Sequence, residues 1–460
     1  MTDSPPIRQA VVIIHGMGEQ RPLETLNTFI RVALPGSESV LYSRPDIVTD
    51  SFESRRYLAP RSPIEGPEVY AQTEFYEYHW AHLMQGNRIG DMIPTFRRIL
   101  FRLPHRVPAG LRFLWVLFWG LVGWVVWATG WGPLSDIGWQ RLLADPLRVI
   151  LGGGVLGVAI GFVASRLLPQ WLTSSFVDVI RYLDTSPRSF EVRRAIRKGI
   201  VDLLAGLHTG PRYQRIVVVA HSLGTYIAYD AMSHLWAQMN TRYSKRPVGD
   251  GKPEGLDVLE DAASSLSSDN EAFRRAQRDL WSGIRRQGSP WLITDFVSLG
   301  SPMYFADILY TRNRSVFDER VKFREMPTCP PQPETGLNNN LRKTSLWFSY
   351  PWRGRRLLYH GAPFAVVRWT NIWFPARWGI FGDWFGGPLA PLFGKGISDR
   401  PVPCKSKWSW VPGYPHALYL KPRTQGDPVI RELLAAMDLA STSWVQASFP
   451  PKPEANPAEA

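Results

Sequence analysis

The chain reads as an α/β protein built on a doubly wound, mostly parallel sheet. Three observations predict this. Short β-branched runs, such as Val11-Val12-Ile13-Ile14, Ile216-Val217-Val218-Val219 and Phe296-Val297-Ser298-Leu299, have the continuous apolar character of strands buried on both faces. Each is followed by a turn rich in Gly, Ser or Pro and then by a helical pattern. The strands recur across the whole chain with helices between them, the signature of parallel crossovers rather than of hairpins. With 460 residues and 45% hydrophobic content there is enough chain for a large buried core.

Gln9 to Ile14 forms the first strand, and His15-Gly16-Met17-Gly18 the loop after it, with a helix from about Pro22. Two glycines in that loop let the backbone turn sharply and bring N–H groups close to a ligand, and the N–H of Met17 is the candidate donor. Ile47 to Tyr57 and Val69 to His79 read as two further strands. A cluster of basic residues, Arg97, Arg98, Arg102, Arg106 and Arg112, precedes two apolar segments. Phe113 to Ser135 carries no charge and matches the roughly 20 residues needed to cross a bilayer. Val149 to Ser165 is also uncharged, with Gly153, Gly157 and Gly161 on one helix face. The pair is expected to be a transmembrane hairpin, with a hydrophobic cap over a site as the alternative. The basic flanks place both large flanking parts on the cytoplasmic side of the membrane.

Phe176 to Leu183 and Val192 to Leu207 read as helices, and Tyr213 to Ala220 as the central strand. Residues 237–290 and 311–362 are polar, Pro- and Ser-containing stretches expected to be insertions. Leu292 to Leu299 and Phe364 to Trp373 are strands, Asp427 to Leu439 the last helix, and 446–460 a tail without core-forming residues. The domain plan is thus 1–110 and 169–445 as two parts of one domain, interrupted by the apolar segment 111–168.

The central strand leads into Ala220-His221-Ser222-Leu223-Gly224. A serine between small residues, on a tight turn from strand to helix, has the geometry of a nucleophile elbow, with the Leu223 N–H facing a developing oxyanion. A serine hydroxyl needs a base, and the base needs a carboxylate to fix its tautomer. His416, in the loop Pro412-Gly413-Tyr414-Pro415-His416-Ala417-Leu418-Tyr419, is the candidate base. His234 lies three turns along the elbow helix and His360 at the wrong end of a strand. Asp383, in Gly382-Asp383-Trp384-Phe385-Gly386-Gly387, is the candidate acid; Asp307 is the alternative and Asp399 a third option. His221 is expected to fill space behind the elbow.

The net charge of +13 comes with no nucleic-acid reading module, so no nucleic-acid partner is expected. No phosphate loop, dinucleotide fingerprint or zinc spacing appears, and neither a cofactor nor a metal is called for. Cys329 and Cys404 have no metal-ligand spacing and fit a reducing compartment.

Val12-Ile13-Ile14-His15-Gly16-Met17-Gly18, Ala220-His221-Ser222-Leu223-Gly224, Leu299-Gly300-Ser301-Pro302 and Arg368-Trp369-Thr370-Asn371 together resemble α/β-hydrolases of the lipase and esterase kind. The branch with A-H-S-L-G elbows and a G-S-P turn, which includes GPI-inositol-deacylase-like proteins, is the nearest in pattern. The resemblance implies an α/β-hydrolase fold and a Ser-His-Asp triad, and a site anchored at a membrane points by proximity to a lipid or acyl-ester substrate. It also implies an acid after a W-x-N strand and a base in an H-x-x-Y segment, which His416-Ala417-Leu418-Tyr419 matches. The expected protein is a membrane-anchored serine esterase. A non-catalytic lipid-binding or scaffold protein on the same fold, and a soluble lipase with a hydrophobic cap, are the alternatives.

Overall fold

A computed structural model gives the architecture. It describes residues 7–16, 24–33, 42–45, 55–58, 72–84, 101–104, 187–245, 251–266, 270–311, 313–333, 348–352, 354–376, 382–407, 413–420 and 427–440, with isolated positions between 48 and 183 and between 409 and 448. Among the described residues the strands are β1 (Arg8–Ile14), β2 (Tyr42–Pro45), β3 (Arg55–Leu58), β4 (Gln72–Tyr78), β5 (Arg215–His221), β6 (Ile293–Leu299), β7 (Ser349–Trp352), β8 (Arg355–Leu358), β9 (Arg368–Trp373) and β10 (Ser398–Pro401). The longer helices are α1 (Glu24–Ala33), α2 (Pro187–Thr209), α3 (Leu223–Ser244), α4 (Leu256–Ser264), α5 (Glu271–Arg286), α6 (Arg314–Lys322) and α7 (Pro428–Met437).

Eight strands form one sheet in the order β10-β9-β6-β5-β1-β4-β3-β2. From β10 to β4 every neighbour is parallel, and β3 and β2 close one edge as an antiparallel pair. The strand period of two sends alternate residues to opposite faces. Ala10, Val12, Ile14, Ile216, Val218, Ala220 and Phe296 face a core shared with α2, α3 and α5. Val11, Ile13, Val217, Val219, Val297 and Leu299 face the other layer, where Leu26, Phe29 and Ile30 of α1 and Val429, Ile430 and Leu433 of α7 cover them. Burial on both faces explains the unbroken apolar runs of the central strands.

One expectation is refined here. Within 237–290 the sequence reads as a loop over Thr241 to Glu254 and as helix over parts of Val258 to Arg286; the structure carries α3 on to Ser244 and supplies α4 and α5. Buried Phe273, Leu280 and Trp281 join the core, and Arg274 and Gln277 donate to main-chain carbonyls of Trp369, Phe364 and Val367. The polar residues of Glu271–Arg286 belong to the outer face of α5 and to these buried anchors.

The transmembrane helix is also corrected. No helix among the described residues is long and apolar enough to cross a membrane. Of the first apolar segment, Trp115, Val116, Phe118 to Gly120 and Gly123 are described, as helical positions. The second segment, Val149 to Ser165, lies outside the described residues.

Candidate active site

The site lies at the carboxyl edge of the sheet, where loops after parallel strands converge. Ser222 joins β5 to α3 with φ 53° and ψ −127°, a conformation strongly disfavoured for a residue with a Cβ. The Ser222 N–H donates to the Leu299 carbonyl at 3.0 Å, and Thr225 Oγ1 donates to the Ser222 carbonyl at 2.6 Å. Ser301, in the turn after β6, is 2.7 Å from Thr225 Oγ1 and accepts the Met303 N–H. The G-S-P turn is thereby tied to the elbow helix.

Gly224 has a direct steric reason. A Cβ there would sit 2.5 Å from the Ile14 carbonyl oxygen and 2.6 Å from that of His15, so a side chain would prevent α3 from packing against β1. A Cβ on Gly16 would lie 2.9 Å from that of Ser222. Ala220 replaces the first glycine of the common motif because its methyl group points into the core.

His416 sits on the short 3-10 turn Tyr414–Leu418, and its Nε2 is 2.7 Å from Ser222 Oγ. Its Nδ1 is 3.0 Å from both carboxylate oxygens of Asp383. A carboxylate accepts, so Nδ1 carries the proton in this arrangement and Nε2 is left to accept from the serine hydroxyl. Asp383 is buried, and two further donors reach it: the Phe385 N–H at 2.8 Å and the Tyr419 hydroxyl at 2.7 Å. Burial pushes this carboxyl up, but the His416 ring, the Tyr419 hydroxyl and the Phe385 N–H outweigh it, and the group lies below the usual carboxylate range.

The structure therefore brings Ser222, His416 and Asp383 together as one hydrogen-bonded line. Met17, the expected second oxyanion donor, lies outside the described residues. Leu223 begins α3, so its N–H is among the helix-start donors that no preceding turn can satisfy.

Asp307 is corrected as the alternative acid. It lies on the helical turn Ala306–Leu309, where Arg102 and Arg314 are the neighbouring cations, and among the described residues it makes no bond to His416. Asp399 is held in β10 as an acceptor for Asn371 Nδ2 and for the N–H groups of Leu389 and Ala390. That is a brace for the loop carrying Asp383. Asn371, the polar residue of the W-x-N strand, also donates to the Gly387 carbonyl, so the strand motif positions the acid loop from below.

Tyr419 is the site residue that residue chemistry alone did not single out. Its hydroxyl donates to Asp383 and accepts the Phe374 N–H at 2.9 Å. The available signal was its spacing three residues after His416. β10 was also unforeseen; its four residues, Ser398–Pro401, contain too little apolar sequence to announce a strand.

His15 donates from Nδ1 to the Gly16 carbonyl at 2.7 Å and stacks on Trp80, whose Nε1–H holds the His15 carbonyl. Burial lowers its pKa to about 3, so this ring is a neutral strut for the loop after β1.

Comparison with known proteins finds no matching family model, no matching curated protein and no matching solved structure. The site is consequently interpreted from its own geometry.

Proposed function

We propose that the protein is a serine hydrolase with an α/β-hydrolase fold, cleaving carboxylic esters through an acyl-enzyme. The observation that carries this reading is the buried line Ser222 Oγ, His416 Nε2, His416 Nδ1 and Asp383 carboxylate, starting from a strained turn. A plain strand–turn–helix has no reason to hold a serine at positive φ and aim a histidine at its hydroxyl. The chain order of nucleophile, acid and base, after β5, β9 and β10, is that of α/β-hydrolases.

In this reading His416 Nε2 takes the Ser222 proton as Oγ bonds to the ester carbonyl carbon. The carbonyl oxygen becomes an oxyanion facing the N–H of Leu223. His416 then gives the proton to the leaving alkoxide as the C–O bond breaks. Water repeats the sequence on the acyl-enzyme, losing its proton to His416 and releasing the acid and the free serine. Asp383 keeps the imidazole in the reactive tautomer and stabilises the imidazolium formed twice per cycle.

A fluorophosphonate probe tests this directly. Wild type is expected to label on Ser222, and Ser222→Ala and His416→Ala are expected to lose labelling. A folded wild type that does not label refutes the proposal.

A further inference from the structure

His221 plays no part in that proton relay, yet it adjoins Ser222 in sequence and packs against the turn that bears His416. Its Nε2 is 3.0 Å from the main-chain carbonyl oxygen of His416. Its ring lies 5.1 Å from the His416 ring and 5.5 Å from that of Tyr419. On its other side, a Cβ on Gly16 would come within 2.7 Å of its Nδ1, so the loop after β1 packs directly on the ring.

We infer that His221 is a positioning residue that ties the turn bearing the base to the nucleophile elbow through its Nε2–H and the His416 carbonyl. The inference rests on the serine-hydrolase reading of the same site. His221 is covalently next to Ser222, so the bond fixes the base relative to the nucleophile through one residue. No other hydrogen bond among the described residues joins the His416 main chain to β5 or the elbow.

The chemistry of the ring fits the role. A carbonyl only accepts, so Nε2 carries the hydrogen and Nδ1 is bare. The titratable groups facing the ring are His416 and Tyr419 from the base turn, Asp383 from the acid loop and His15 from the loop after β1. Burial, and then the positive charge His416 acquires, lower the pKa of His221 to about 3. The tie is therefore uncharged throughout the working range and adds no repulsion when His416 becomes an imidazolium. A space-filling role would require only volume, whereas a tie requires a donor at the ε position.

The test separates these. Gln places an amide N–H where Nε2–H lies; Asn is polar but too short to reach; Leu fills space without a donor. His221→Leu and His221→Asn are expected to lower kcat on a p-nitrophenyl ester, and the rate of fluorophosphonate labelling, by about 10- to 100-fold with KM little changed, since misplacing a reacting group by about 1 Å costs on that order. His221→Gln is expected to recover most of the rate. Far-UV circular dichroism checks folding, and the Gln/Asn pair decides the matter if Leu is not tolerated. Histidine-selective 15N spectra of the wild type are expected to show His221 protonated at Nε2 and not titrating from pH 5 to 9. A bare Nε2 overturns the tie whether or not the protein labels. Wild-type labelling rates in His221→Leu or His221→Asn overturn the positioning role while the hydrolase reading stands. A wild type that does not label removes that reading, and the positioning role with it.

Discussion

Asp383→Asn is the perturbation that probes the proposed mechanism most deeply. The carboxylate accepts from three directions: His416 Nδ1, the Tyr419 hydroxyl and the Phe385 N–H. An amide of the same shape offers one oxygen and one NH2 group. If the oxygen stays on the Phe385 N–H, the NH2 group replaces the oxygen that faces the Tyr419 hydroxyl, and both amide atoms lie about 3.0 Å from His416 Nδ1. The amide N–H can then donate to a bare Nδ1, which favours the tautomer with its proton on Nε2, where His416 can no longer accept from Ser222. The loss expected from a wrong tautomer is about 10⁴-fold in kcat, equivalent to about 5.5 kcal/mol of barrier. Ester turnover and fluorophosphonate labelling measure it, with circular dichroism to show that the variant is folded. A fall of less than about tenfold would refute the assignment of Asp383 as the acid, since wrong-tautomer losses are far larger. The sign of the stability effect follows from the same contacts. The folded carboxyl titrates below its unfolded value, so its stabilising contribution is present above the unfolded pKa near 3.9 and is lost as pH falls through the folded one. Wild type should therefore lose more stability than Asp383→Asn between about pH 5 and the folded pKa.

Other consequences are equally concrete. Tyr419→Phe removes a donor from Asp383 and leaves the buried Phe374 N–H without its acceptor, so a loss of about 1–3 kcal/mol in chemical denaturation is expected together with a fall in kcat. Ser222→Gly should abolish labelling yet raise the melting temperature above that of Ser222→Ala, because glycine relieves about 1–3 kcal/mol of strain at φ 53°; equal melting temperatures would argue against a strained elbow. Gly224→Ala drives a methyl group toward the Ile14 and His15 carbonyls and should destabilise the fold by at least about 1–3 kcal/mol, read from the denaturation midpoint. Asp295→Asn, at the opposite end of β6, breaks a buried ion cluster with Arg215 and Arg368 and should cost about 3–5 kcal/mol, with the labelling rate of the folded fraction unchanged.

The central sheet was legible because parallel strands buried on both faces must be continuously apolar, as Ile216 to Val219 are. Ser222, His416 and Asp383 were legible as candidates because the tight turn, the loop glycines and the chain order restrict which residues reach one sheet edge. Their mutual distances were not, since 194 residues separate Ser222 from His416 and only the fold brings them together. β10 and the hairpin of β7 and β8 escaped because four-residue strands containing Pro and Arg carry no periodicity to detect. The opposite error arose at Phe113 to Ser135: hydropathy there was read as a membrane span, although the described residues contain no helix of that kind. At 237–290, helix over parts of Val258 to Arg286 was legible but its bounds were not, because the buried faces need only a few positions each, such as Phe273, Ala276, Leu280 and Trp281.

The two ends of β5 and β6 divide their tasks by chemistry. At the amino end, Arg215 is buried and gives its guanidinium hydrogens to Gln9, Thr294 and Asp295 and to the Met437 and Asp438 carbonyls at the end of α7. Those carbonyls are the negative pole of a helix, so a cation there is doubly suited. Burial pushes Asp295 up, but Arg368, Arg215 and the Thr294 hydroxyl more than compensate and bring it down to about 2. Its contribution to stability is present above the unfolded pKa near 3.9 and declines only as pH falls toward 2. This end locks β5 to β6, β9 and α7 through a carboxylate that stays ionised across the neutral range. The carboxyl end instead carries a strained serine and neutral rings at His15 and His221. Asp295 therefore bears on stability and Asp383 on chemistry, although both are buried aspartates paired with cationic or ionisable partners.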